Sequence, residues 1–105
     1  MEQYLFVYGT LRRPARNRYA REFHRGSTFI GPAKVQAKVY PNGAYTAMVC
    51  SRKPGDWVQG QVFRLRNPEE QLPSLDQYEG PDYRRVLIRV FTKSGRTLRS
   101  WAYLG

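Results

Sequence analysis

The chain predicts an α+β fold, a compact barrel-like mixed sheet of about six strands with two short helices packed outside. Three observations predict it. About six runs rich in β-branched and aromatic residues are separated by Gly, Pro and Asn. Two other stretches carry apolar residues at helical spacing. With 105 residues the chain buries one modest core, and strands this numerous in so short a chain curl to protect their edges. No linker, repeat or low-complexity tract interrupts it, so residues 1–105 are expected to form a single domain.

The elements follow in order. Gln3 to Tyr8 reads as a buried first strand that Gly9 stops with a tight turn. From Arg16 to Phe23, Tyr19, Ala20 and Phe23 share one face opposite arginines, with Asn17 near the start and Gly26 past the end of a short helix. Thr28-Phe29-Ile30 reads as strand, Gly31-Pro32 as a break or bulge, and Ala33 to Tyr40 as strand again. Pro41-Asn42-Gly43 is the expected turn before a return strand from Tyr45 to Cys50. After the polar loop at Arg52 to Asp56, Trp57 to Leu65 alternates as a strand in which Gly60 marks a bend.

Asn67-Pro68-Glu69-Glu70 opens the second helix: Asn67 can cap, Pro68 suits the first helical position, and Glu70 stands where a capping box closes. Leu72, Leu75 and Tyr78 continue the helical spacing. Pro73 predicts a restart or kink, and Gly80-Pro81 a stop. Tyr83 to Thr92 and Arg96 to Leu104 then form two strands around a turn at Lys93-Ser94-Gly95.

Composition narrows the function. Hydrophobic residues at 41% and charged residues at 25% fit a folded domain. No run approaches the ~20 apolar residues of a membrane span. Met1-Glu2-Gln3-Tyr4 lacks the basic flank of a signal peptide, so the cytoplasm is the expected location. Cys50 is the sole cysteine and His24 the sole histidine. A zinc site of the usual kind needs three or four ligands, so no metal is expected, and Cys50 is expected to be a buried inert thiol. The net charge of +10 comes from 18 Lys and Arg against 8 Asp and Glu. Six arginines fall between Arg12 and Arg25. This balance favours phosphates, anionic surfaces or acidic small molecules, and a solvated basic face is the plain alternative.

Two constellations carry chemistry. Tyr8-Gly9-Thr10-Leu11 follows a buried strand, and its amides can converge on a carboxylate or a developing oxyanion. Glu79 ends the second helix near the negative end of its dipole, between Tyr78 and Tyr83. Both settings raise a carboxylate's proton affinity, as a general base requires. Asp76, three residues earlier, is a second carboxylate on the same side.

Together these segments resemble the γ-glutamylcyclotransferase-like family, which includes γ-glutamylamine cyclotransferases, plant AIG2-like proteins and bacterial YtfP-like proteins. The residues that carry the resemblance are Val7-Tyr8-Gly9-Thr10-Leu11-Arg12 and Leu75-Asp76-Gln77-Tyr78-Glu79-Gly80, with Tyr83 and Arg84. Gly31-Pro32-Ala33, Tyr40, Gly60 to Leu65 and Trp101-Ala102-Tyr103 extend it over nearly the whole chain. The resemblance implies the fold of that family and an intramolecular cyclisation of a small γ-glutamyl substrate. In that reaction the α-amine attacks the γ-carbonyl and releases 5-oxoproline and a free amine or amino acid. Glu79 matches the family's catalytic glutamate. Tyr8, Gly9, Thr10 and Leu11 match its binding loop, and Tyr83 is expected to line the pocket. No cofactor is implied. Two other readings stand beside this one: a catalytically silent binder of γ-glutamyl metabolites, and a basic nucleic-acid module working through Arg12, Arg13, Arg16, Arg18 and Arg21.

Overall fold

The first strand, β1 (Tyr4–Val7), is short because each residue must be sheltered on one face or the other. Phe6 belongs to one buried cluster, while Leu5 and Val7 belong to a second. Adjacent strand residues point to opposite faces, so β1 is a wall between two cores. In the computed structural model, which describes residues 2–105, β1 is followed by α1 (Arg18–Arg25), β2 (Ser27–Val35), β3 (Ala37–Asn42), β4 (Tyr45–Cys50) and β5 (Val58–Leu65). Helix α2 (Pro68–Glu79) and strands β6 (Arg84–Thr92) and β7 (Thr97–Leu104) complete the chain.

Five strands close into a barrel in the order β1-β5-β2-β6-β7, and β3-β4 forms a separate two-stranded sheet. The barrel is mixed: β1 and β7 run parallel, with Leu5 opposite Trp101, and the other pairs are antiparallel. Phe6, Val35, Val62, Val90 and Ala102 belong to the cluster that fills it. Leu5, Phe63, Leu65 and Tyr103 meet Ala20 and Phe23 of α1 and Leu72 and Leu75 of α2 in the other. The helices therefore pack outside, as expected.

Two boundaries differ from the sequence reading, the break before β3 and the hairpin turn after it, in a chain of seven strands. Of the break or bulge expected at Gly31-Pro32, the structure has the bulge. Between Phe29 and Gly31 the register slips by one residue, a bulge made possible by Gly31 at φ 149°, and pairing with β5 continues to Val35. The real break comes at Gln36. Its side chain donates to the Lys53 carbonyl at 3.0 Å, and Ala37 N–H donates to the Asp56 carbonyl at 3.2 Å. The loop at 51–56 thus peels β3 and β4 away from the barrel. In that hairpin Asn42 faces Tyr45, so the turn is Gly43-Ala44 and Pro41 stays in the strand. Both strands of a two-stranded sheet are edges, where a missing N–H can face away from the partner. Cys50, expected to be buried, is exposed at the end of β4, because that hairpin has few neighbours to cover it.

The helices also correct details. Asn17 caps α1, its Oδ1 accepting from Ala20 N–H at 2.7 Å. Asn67 makes no side-chain cap on α2; Gln71 instead reaches back to accept from Asn67 N–H at 2.8 Å. Helix α2 runs as one element through Pro73. Only one helical hydrogen bond is forfeited there, and the ring faces solvent.

Gly60 is fixed by close approach. A Cβ built on it would collide with the Val7 carbonyl oxygen and the Phe6 ring. Both belong to buried β1, which cannot yield without opening the barrel. Gly60→Ala is expected to destabilise the protein by about 1–3 kcal/mol, read as a lower urea midpoint at unchanged slope.

Candidate active site

The end of β1, the end of α2, the tip of the β3-β4 hairpin and the start of β6 converge on one cavity of about 680 Å³. Tyr8, Gly9, Thr10, Leu11, Glu79 and Tyr83 all line it, whereas Asp76, the second carboxylate noted in the sequence, does not. Ala44, Tyr45 and Thr46 also line it, and nothing in the residue order marks them. No periodicity in a hairpin tip says which distant wall it will lean over.

The turn after β1 is held from several sides. Arg12 N–H donates to the Gly9 carbonyl at 3.1 Å, closing the turn. Leu11 is buried against α1 in the outer core, and its carbonyl lies 2.7 Å from a ring nitrogen of His24. The Thr10 hydroxyl shares a 3.1 Å hydrogen bond with Tyr78, whose ring stacks on Tyr19 at 4.0 Å. The Tyr8 hydroxyl donates to the Tyr103 carbonyl at 2.7 Å. Among the described residues, the amides of Thr10 and Leu11 pair with no backbone acceptor. A Cβ at Gly9 would meet no protein atom within 4 Å. The backbone here is thus rigid, approachable and rich in donors. His24 does not line the cavity, and its support of the turn through the Leu11 carbonyl had no sign in the local residue order.

Glu79 is the last residue of α2, and Gly80 at φ 82° turns the chain away, its N–H donating to the Asp76 carbonyl at 3.1 Å. Burial raises the Glu79 carboxyl from 4.5 to about 7. Tyr8 is pushed above its ordinary value as well, by burial first and then by the Glu79 charge. The two groups therefore face the same space. Glu79 is a carboxylate that holds or releases a proton near neutral pH, next to a donor-rich turn.

Asp76 has a different setting. Arg85 grips it through Nε at 2.8 Å and Nη2 at 3.2 Å, and the Tyr103 hydroxyl donates to it at 2.7 Å. The Arg85 hydrogen bonds, followed by that from Tyr103, hold its carboxyl below the usual carboxylate value of 3.8. A carboxylate held ionised at neutral pH by these donors is a poor proton acceptor; Asp76 instead ties the end of α2 to β6 and β7. Because its pKa is lowered on folding, its contribution is complete above the unfolded pKa and is lost as pH falls through the folded one. Asp76→Asn is expected to lower stability at pH 7, on the order of 1 kcal/mol after solvent screening. Melts at pH 7 and pH 3 should show the deficit shrinking in acid.

Residues 5–105 match the sequence family described as gamma-glutamyl cyclotransferase, AIG2-like. The chain belongs to that family. A protein of Methanocaldococcus jannaschii that carries a provisional gamma-glutamylcyclotransferase name is 30% identical over 103 residues, 96% of this chain and 82% of that one. Among solved structures, YkqA of Bacillus subtilis superposes with a TM-score of 0.78 at 25% identity. The match covers 99% of this chain but 36% of YkqA, so this family member spans about a third of that protein. An AIG2-like protein of Mus musculus has the same fold, with a TM-score of 0.79 at 22% identity over 98% of this chain and 76% of its own length. The barrel with outer helices is thus the fold of the family. Among the described residues, no helix is long and apolar enough to cross a membrane.

Proposed function

We propose that this protein is a γ-glutamyl cyclotransferase that converts a small γ-glutamyl amine or γ-glutamyl amino acid to 5-oxoproline and a free amine, with Glu79 as general base. The observation that carries the proposal is the Glu79 carboxyl, raised by burial to about 7, in a cavity it shares with the Gly9-Thr10 backbone. Family membership supports the same reading.

The chemistry follows from the geometry. The substrate's α-amine is mostly protonated near neutral pH and is no nucleophile until a base takes its proton. Glu79, ionised in about half of the molecules near pH 7, accepts it. The amine nitrogen then bonds to the γ-carbonyl carbon, Glu79 returns its proton to the leaving nitrogen as the bond from that carbon to it breaks, and the second proton shed by the ring nitrogen goes to the released amine, which departs as an ammonium. The turn amides of Thr10 and Leu11 hold the glutamyl portion, and Tyr8 and Tyr83 wall the ring-closing atoms. Nucleophile and electrophile share one molecule, so binding need only freeze the productive rotamer. Well-oriented intramolecular attack is worth on the order of 7–11 kcal/mol. The test is 5-oxoproline release from a panel of γ-glutamyl amino acids and amines, run with the parent protein and Glu79→Gln. Release by the parent that is lost in the folded variant supports the assignment; equal release by both rejects Glu79 as the base.

A further inference from the structure

Three arginines that this mechanism does not use stand on the cavity wall: Arg12, Arg13 and Arg16. All three are exposed. Among the described residues none has an acidic side chain within ion-pair distance; the ion pairs engage Arg18, Lys38 and Arg85. Glu79 is the sole carboxylate on the lining among the described residues, so the wall is strongly cationic. Two of the arginines also make contacts with their neighbours. Arg12 Nε donates to the Gly9 carbonyl at 3.2 Å. The Arg13 guanidinium lies 4.2 Å over the Phe29 ring. The Arg13 backbone is clamped by Gln61, which accepts from its N–H at 2.7 Å and donates to its carbonyl at 3.2 Å. A guanidinium group is planar and pre-organised, and it matches a carboxylate with two parallel hydrogen bonds.

We propose that this arginine wall selects the leaving group, so that the preferred substrates are γ-glutamyl derivatives of acidic amino acids or short acidic peptides. The inference rests on the cyclotransferase reading of the cavity. The turn amides take the glutamyl portion, which leaves the arginines facing what departs. A cavity of about 680 Å³ lies within the ~300–1,000 Å³ of sites for drug-sized ligands and has room for both parts. A leaving group that carries only an amine brings no partner for the guanidinium groups, and a polyamine meets like charge.

The test uses one neutral carrier with a graded leaving side: γ-glutamyl-glutamate, γ-glutamyl-glutamine and γ-glutamyl-butylamine. Binding is measured by calorimetry on the full chain carrying Glu79→Gln, with and without Arg13→Gln and Arg16→Gln, and 5-oxoproline release is measured separately on the parent. The expected order of affinity is glutamate, then glutamine, then butylamine. Removing both arginines should compress the glutamate-to-butylamine ratio by on the order of tenfold or more, and raising salt should compress it in the parent background too. Equal affinities for the three compounds overturn the proposal. So does an equal loss for all three in the arginine variants, which assigns those residues to the glutamyl carboxylate. An intact affinity order without 5-oxoproline release upholds the arginine selection and rejects the cyclisation, whereas release without the order does the reverse.

Discussion

Glu79→Gln is expected to cut 5-oxoproline release by about 10²–10⁴-fold and, above pH 7, to make the protein more stable. The two effects have one cause. In the unfolded chain this carboxyl titrates near 4.5, and in the folded cavity near 7. Between those values the native state keeps a proton that the unfolded state has released. Stability therefore falls as pH rises through this window, and the deficit is complete above pH 7. A carboxyl whose pKa rises by one on folding loses about 1.4 kcal/mol in its ionised form. With water reaching the cavity mouth, the penalty at pH 8 is on the order of 1–3 kcal/mol. Gln is neutral at every pH, so the variant should melt higher than the parent at pH 8 and match it by pH 4. The parent's kcat/KM should lose activity on the acid side with a midpoint near pH 7, where the base becomes protonated. Equal melting at pH 8 would show that burial does not strain the charge.

Phe63→Ala is expected to destabilise the protein by about 3–5 kcal/mol, a large share of the ~5–15 kcal/mol typical of a whole domain. Phe63 is 1% exposed. Its ring centroid lies 4.9 Å from that of Phe23, 4.9 Å from the parallel His24 ring and 5.3 Å from Phe29. Truncation therefore empties the contact between β5 and α1, which no single neighbour can refill. It also removes the support beneath His24, which holds the Leu11 carbonyl of the turn. The surviving folded fraction should show a raised KM for γ-glutamyl substrates. Phe63→Leu, which keeps most of the volume, should cost less than half as much. Urea unfolding of both variants checks this, and a loss under ~1 kcal/mol for the alanine would sink it.

Much of the site could be read from the chain because it is built at element ends. A strand that stops at Gly9 and a helix that stops at Gly80 each leave a signature in local residue order, and the candidate groups sit at those stops. Asp76 shows where local reading ends. Its spacing from Glu79 made it look like a second base, and only the meeting of α2 with β6 and β7 gives it Arg85 and Tyr103 as partners. Gln71 is similar: local spacing assigns it no part, yet it caps the helix and also donates to the Gly26 carbonyl at 2.9 Å. The bulge at Gly31 was legible from its glycine, but the strand break at Gln36 was not, because contacts with a distant loop decide it.

Residue order was enough for most of the strands and both helices, the short β1, the turn at Gly9 and the position of Glu79 at a helix end, because periodicity, caps and glycine stops act within a few residues. Long-range packing was needed to close the barrel through a parallel β1-β7 contact, to roof the cavity with the β3-β4 tip, and to line its wall with three arginines. Packing also chose which carboxylate is pushed up and which is held down. Those properties depend on burial and on partners far along the chain, and electrostatics in a cavity is set by what closes around a charge.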